Sequence, residues 1–383
     1  MLSKQNLASL SPSTPPDLVS EIFLTGATGL TGSRILLSLL EQQVDGRNDG
    51  RKGFPRIYCL VQARDRMHAM YRIVDAVVGR GNQWKQRFFE QVVPVVGDLR
   101  AQRLGLSQKT FDELANKVEA VYHAGRVVDF ALPYEAIRKA NVLSLLPLVE
   151  LCTTGKAKHL HVLSDFAAHI QYFGAFAGDL NQPILEELSV PQPLMDRMEN
   201  QMPASVMGYP WARWAVEEVL AKCQSWMGNL HASAGGDFHD IKTKFRFTIY
   251  RLPNSAVYFD NGRVDFLNPF FTITMAALQQ GLIPPGVLPV GPPFLSTPID
   301  ISADILVKLS RLPHRPTVMH IVNPVGVRRE AVNQTLLALK IPFRESCEDE
   351  FLRGIENNQN GSAAYTLLPV MRVSQYAWEK STE

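Results

Sequence analysis

The chain has 383 residues, 46% of them hydrophobic and 20% charged, with 39 basic against 37 acidic side chains and a net charge of +2. These are the proportions of a large globular protein, and the near-neutral balance argues against a nucleic-acid or other polyanionic partner. The four cysteines, Cys59, Cys152, Cys223 and Cys347, have neither metal spacing nor a secreted disulfide pattern, so they read as thiols in a reducing, cytoplasmic compartment.

Residues 1–20, MLSKQNLASLSPSTPPDLVS, are polar and proline-rich without a signal-peptide run, and read as a flexible lead-in or as a flexible linker cut from a longer chain. No apolar stretch is long and charge-free enough to span a membrane, so no membrane partner is expected. EIFLTG (21–26) reads as a buried strand, and SRILLSLLEQQ (33–43) has helical periodicity. After a polar, glycine-rich loop come a second strand, RIYCLVQA (56–63), a helical region, and QVVPVVGDL (91–99). KTFDELANKV (109–118) is a helix, AVYHAG (120–125) a strand end, residues 133–152 one long helix, and KHLHVLSD (158–165) a further strand. This alternation predicts an α/β fold: a Rossmann-type doubly wound parallel sheet covered on both faces.

From 171 to 208 the pattern dissolves, which marks a candidate lid before the helix GYPWARWAVEEVL (208–220). Residues 225–242 read as an irregular surface insertion, and FRFTIYRLP (245–253) as a strand. The expected division is a Rossmann-type domain over 21–253 and, over 254–383, mainly a smaller substrate-binding lobe. Phe266, Phe270 and Phe271 are candidates for its apolar wall, or for ordinary core.

Gly26, Gly29 and Gly32 form G-x-x-G-x-x-G between a strand and a helix. Glycine there permits a tight turn and close backbone approach to a pyrophosphate, and the helix N-terminus offers free N–H groups. Thr28 lies within the turn. The ribose-reading position at the end of the second strand is Gln62, neither carboxylate nor arginine, with Arg64 nearby.

The ordered motifs FLTGATGLTG, YCLVQAR, VVGDL (with Asp98), YHAG, PYEAIRKANVLSLL, Ser164 and Tyr209 resemble the terminal reductase-type domains of nonribosomal peptide and hybrid polyketide–peptide synthetases. These domains belong to the extended short-chain dehydrogenase/reductase class. The resemblance runs from about residue 21 through the 320s. It implies a phosphopantetheinyl carrier-bound thioester from an upstream module as substrate. In a competent member it implies NADPH as hydride donor, with a Thr or Ser, a Tyr, and a Lys one turn after the Tyr.

The chain keeps Tyr209 but departs at the other roles: Gln62 stands for the phosphate-binding arginine, Arg126 for a small residue, Asp165 for the threonine and Arg213 for the lysine. A register shift of one would instead place Ser164 at the threonine position. Arginine is planar and larger than the ammonium it replaces, and a carboxylate opposes a developing oxyanion. The resulting expectation is a redox-silent Dieckmann cyclase that closes a β-ketoacyl-aminoacyl thioester to a tetramic acid. It needs no cofactor and keeps NADPH at most as a silent ligand. Asp165 would be the base, Tyr209 the donor to the enolate or oxyanion, and Arg213 the supporting cation. Three alternatives stand beside it: an Asp165–Arg213 ion pair filling the nicotinamide site, reductive release with Arg64 or Arg34 binding the phosphate, and a docking domain without catalysis. His169 is a second-choice base, while His123, Asp129 and His161 read as structural.

Overall fold

The computed structural model describes residues 11, 13–44, 53–79, 88–168, 186–188, 208–232, 245–253, 255, 257–264, 268–284, 296–369 and 371–372. Most of the 171–208 stretch, His169, Asp265, Phe266 and all of the 1–12 stretch except Ser11 lie outside them, as do the side chains of His231 and Phe270.

The strands are β1 (Glu21–Thr25), β2 (Arg56–Val61), β3 (Val92–Val96), β4 (Ala120–His123), β5 (His159–Asp165), β6 (Arg246–Leu252), β7 (Leu282–Ile283), β8 (Val318–His320) and β9 (Arg344–Glu345). Seven of them form one parallel sheet in the order β3-β2-β1-β4-β5-β6-β8. The order reverses between β1 and β4, which opens a crevice at the carboxyl edge where doubly wound folds take their ligands. Two apolar layers clothe the sheet because strand side chains alternate. Phe23 enters the layer with Tyr209, Val216 and Leu148, while Ile22 and Leu24 enter the layer with Ile35 and Leu306.

Several expectations shift. The helix over 133–152 is three pieces: Tyr134–Arg138, a π-helical turn Lys139–Leu143, and Leu145–Cys152. The Tyr209 helix runs Gly208–Ala232, so the expected insertion at 225 begins as regular helix. The region after 254 divides. Helix Ile299–Ser310 packs on Leu30–Leu40, and β8 joins the main sheet, so both extend the Rossmann layer. A separate apolar cluster gathers Leu336, Phe351, Leu352 and Met371, together with Leu282 and Ile283 of β7, which pairs with β9 outside the main sheet. Cys59 and Cys152 are buried, as their apolar contexts imply.

Candidate active site

The glycine turn is built by close packing at the switch point. Gly26 has φ +81°, and a Cβ there would lie 2.5 Å from the Gly125 nitrogen. A Cβ on Gly32 would lie 2.0 Å from the Gly26 carbonyl oxygen, so the helix Leu30–Leu40 reaches the turn only because position 32 is glycine. No side chain caps that helix at Gly29, which leaves its N-terminal amides facing the crevice. Beneath it the Thr25 hydroxyl accepts from the Gly125 amide (3.1 Å) and meets Nδ1 of His123 at 2.8 Å, stitching β1 to β4. Burial, then Arg213 and Arg126, hold His123 neutral, with its pKa lowered to about 3.

At the end of β2, Gln62 donates to Asp98 (3.2 Å), and Arg100 is paired with the same carboxylate at 2.7 Å. That pairing lowers the Asp98 pKa. Arg72 donates to the Gln62 carbonyl, while Arg64 is exposed beside Asp65 at 3.5 Å. Arg34 is engaged elsewhere, with Asp260 and Asp304 at 3.7 and 3.6 Å.

The reactive end lies at the carboxyl tips of β4 and β5. Tyr209, 2% exposed, donates its hydroxyl proton to Asp165 at 2.5 Å. Burial raises the Tyr209 pKa, so the phenol stays protonated. Arg126 pairs with Asp165 at 3.4 Å and donates to the Leu163 carbonyl at 3.2 Å. One turn after Tyr209, Arg213 reaches the same carbonyl at 3.5 Å and lies 5.6 Å from the Tyr209 ring centroid. It is buried, and its Nε and Nη2 find no hydrogen-bond partner among the described residues. The expected Asp165–Arg213 ion pair is thus replaced by Asp165–Arg126. Two guanidinium groups and one carboxylate converge here, so these three side chains carry a net positive charge.

Ser164 does not share this site. Successive strand residues face opposite sides, and its hydroxyl donates instead to Glu217 at 2.7 Å. Asp129 caps its own loop through the Ala131 amide, and His161 stacks inside the sheet on Tyr122, consistent with structural roles.

Two features escaped the sequence reading. The carboxamide of Asn141, in the π-helical turn, clamps both backbone polar groups of Val127 at 2.7 and 2.9 Å, fixing the loop that carries Arg126. Glu217 forms a buried ion pair with Arg251 at 2.6 Å. The available signal for Glu217 was its place one helical turn beyond Arg213.

Residues 24–231 match the family model described as Male sterility protein, NAD_binding_4. The chain belongs to that family. It is 32% identical over 205 residues to a component of the linear gramicidin synthase of Brevibacillus parabrevis, covering 54% of this chain and 4% of that protein. It is 29% identical to L-2-aminoadipate reductase of Saccharomyces cerevisiae, covering 52% of this chain and 14% of that one. The chain therefore spans only a small part of these curated relatives. By structure it resembles the terminal R domain of the myxalamid PKS-NRPS pathway, with a TM-score of 0.75 and 24% identity, covering 98% of this chain and 84% of that domain. These findings overturn the expectation of a Dieckmann cyclase without redox activity, because the likenesses run to a dinucleotide-binding family and to a protein named a reductase. The fold keeps a buried cation one turn after Tyr209 although the lysine is gone.

Proposed function

We propose that this domain releases a carrier-bound acyl or peptidyl thioester by NADPH-dependent reduction, giving an aldehyde or alcohol and the free carrier thiol. The observation that carries the reading is the shared edge. The glycine turn follows β1, and Asp165, which meets Tyr209, ends β5, so both stand at the carboxyl edge of the one parallel sheet.

The glycine cradle suits a pyrophosphate, since every Cβ that would fill it is absent. Gln62 at the end of β2 withholds the carboxylate that favours NADH, and Arg64 and Arg100 flank the position, which supports NADPH. When bound, the reduced dinucleotide supplies hydride to the thioester carbonyl carbon. The protein's part is electrostatic and protic. As the carbonyl oxygen gains negative charge, the Arg126 and Arg213 guanidiniums stabilise it. Tyr209 carries the proton that neutralises it. In the unliganded site Asp165 accepts that proton and holds Arg126 in place, so the Tyr209 hydroxyl must turn from the carboxylate to the carbonyl oxygen as charge develops there. Collapse of the tetrahedral adduct re-forms the carbonyl and breaks the C–S bond, with the hydroxyl proton passing to the departing sulfur to give the aldehyde and the free thiol, while solvent restores the Tyr209 proton.

The test uses the purified domain with an acyl thioester on a carrier protein or on pantetheine. Loss of reduced-nicotinamide absorbance, dependent on thioester and accompanied by aldehyde or alcohol in mass spectra, is the expected result. Product formed without NADPH consumption would refute reductive release.

A further inference from the structure

Gln62 and the pair Asp98–Arg100 stand side by side although they follow different strands. β2 and β3 are parallel neighbours with Val61 opposite Val96, so the residues beyond the two strands emerge together. The Gly97 amide donates to the Val61 carbonyl at 3.0 Å, which carries the pairing one residue further. Oδ2 of Asp98 then accepts from the Gln62 carboxamide at 3.2 Å and from Nη2 of Arg100 at 2.7 Å. One carboxylate oxygen thereby brings the Arg100 guanidinium to the tip of β2, where a dinucleotide fold reads the adenosine ribose.

The backbone behind Arg100 is held in an unfavourable shape. Arg103 (φ 52°), Leu104 (φ 59°) and Gly105 (φ 72°) follow one another in the left-handed region, which residues with side chains seldom adopt. Two contacts hold Leu104 there. Its carbonyl accepts from the Asp98 amide at 2.9 Å, and its side chain is buried in the apolar layer with Leu60 and Phe111. The turn closes the loop 98–104 at its neck and returns it to the strand edge. Inside the loop the Arg100 amide donates to Oδ1 of Asp98 at 2.8 Å. The Arg100 side chain is 55% exposed and that of Asp98 29%, so a ligand can reach both. The neighbouring cations are placed differently: Arg72 donates to the Gln62 carbonyl, and Arg64 is paired with Asp65, the cap of the following helix.

We propose that Arg100 is the specificity-determining residue for NADPH: its guanidinium passes from the Asp98 carboxylate to the 2′-phosphate, taking the part that the uncharged Gln62 cannot. This rests on the dinucleotide site of the proposed reduction. An ion pair this exposed is weakly held, so giving it up costs little. A phosphate offers the guanidinium fork more negative charge than the carboxylate does, so the exchange runs towards the ligand. Gln62 remains as a donor to Asp98 when Arg100 leaves. A dinucleotide with a plain 2′-hydroxyl leaves the Asp98–Arg100 pair undisturbed.

The test reads binding without turnover. NADP+ and NAD+ differ only in the 2′-phosphate and carry no hydride to deliver; each is titrated by calorimetry into the whole 383-residue chain. Arg100→Ala is expected to weaken NADP+ about tenfold, the size of one charge-assisted hydrogen bond, and to leave NAD+ within about twofold. Arg100→Lys keeps the charge without the fork, and is expected to lose about threefold for NADP+ alone. Asp98→Asn removes the competing carboxylate, and is expected to raise the preference for NADP+ over NAD+ about threefold. Arg64→Ala is expected to move neither ligand by more than about twofold. Equal loss of both dinucleotides in Arg100→Ala, a preference that falls in Asp98→Asn, or a loss of NADP+ carried by Arg64→Ala instead, overturns the inference. Wild-type protein that binds NAD+ as tightly as NADP+ also overturns it. Failure of the wild type to oxidise NADPH, with the preference for NADP+ intact, would overturn reductive release alone.

Discussion

Replacing Glu217 by leucine isolates the buried ion pair. The carboxylate accepts from Arg251 Nε and Nη2 and from Ser164 Oγ, with both charged side chains at 0–2% exposure. Glu217→Leu leaves the Arg251 guanidinium buried without its counter-charge, for which the usual cost is about 3–5 kcal/mol. An unfolding entropy of roughly 2.1 cal/mol/K per residue gives about 0.8 kcal/mol/K for the 383-residue chain. The melting temperature should therefore fall by about 4–6 °C. Removing both charges in Glu217→Leu/Arg251→Met should recover most of that loss, since an apolar pair of similar volume is often neutral or better. Thermal unfolding followed by circular dichroism, with urea titration in parallel, reads Glu217→Leu, Arg251→Met and the double variant against wild type. A Glu217→Leu loss below about 1 kcal/mol, or a double variant as unstable as the sum of its singles, would refute the reasoning that the pair compensates a buried charge.

Other consequences are equally open to measurement. Gly32→Ala drives a methyl against the Gly26 carbonyl, so NADPH binding by fluorescence titration should weaken at least tenfold and the melting temperature should fall; unchanged binding would remove the turn from the cofactor site. Tyr209→Phe should lower kcat about 10²- to 10⁴-fold, as loss of a proton donor does, with NADPH affinity kept. Asp165→Asn should lower it less, because the amide oxygen still accepts from Tyr209 while the partner of Arg126 is lost. The pKa of His123 is depressed to about 3, so between its unfolded value near 6.5 and that figure the unfolded chain binds a proton that the folded one refuses. Stability should fall as pH drops through this window, by up to about 1.4 kcal/mol per pH unit from this group. Urea unfolding of His123→Gln at several pH values should show a slope flatter by that amount, and an unchanged slope would assign the acid sensitivity elsewhere.

Much of the scaffold was legible from residue order. Short apolar runs such as EIFLT and RIYCLV, bounded by turn residues, fit strands covered on both faces, and the three glycines announce a turn that side chains would block. Strand alternation with helices then predicts the parallel sheet, and the distance of one helical turn predicts that Arg213 lies beside Tyr209. The helix over 133–152 was less legible, because hydrophobic periodicity does not register the π-helical turn around Asn141.

The partnerships at the site were decided by tertiary structure. Asp165 and Ser164 are neighbours in sequence, yet strand alternation sends one to Tyr209 and the other to Glu217, so the choice between them needed the strand's orientation. Arg126 and Arg213 are equally plausible partners for Asp165 in a linear reading; the loop clamped by Asn141 brings Arg126 to ion-pair distance. Arg251 meets Glu217 only because β6 lies in register beside β5 under the Tyr209 helix. Local sequence fixes backbone periods and glycine-only conformations, since those depend on neighbours within a turn or two. Charges find their partners through sheet register and helix docking, which join residues remote in the chain.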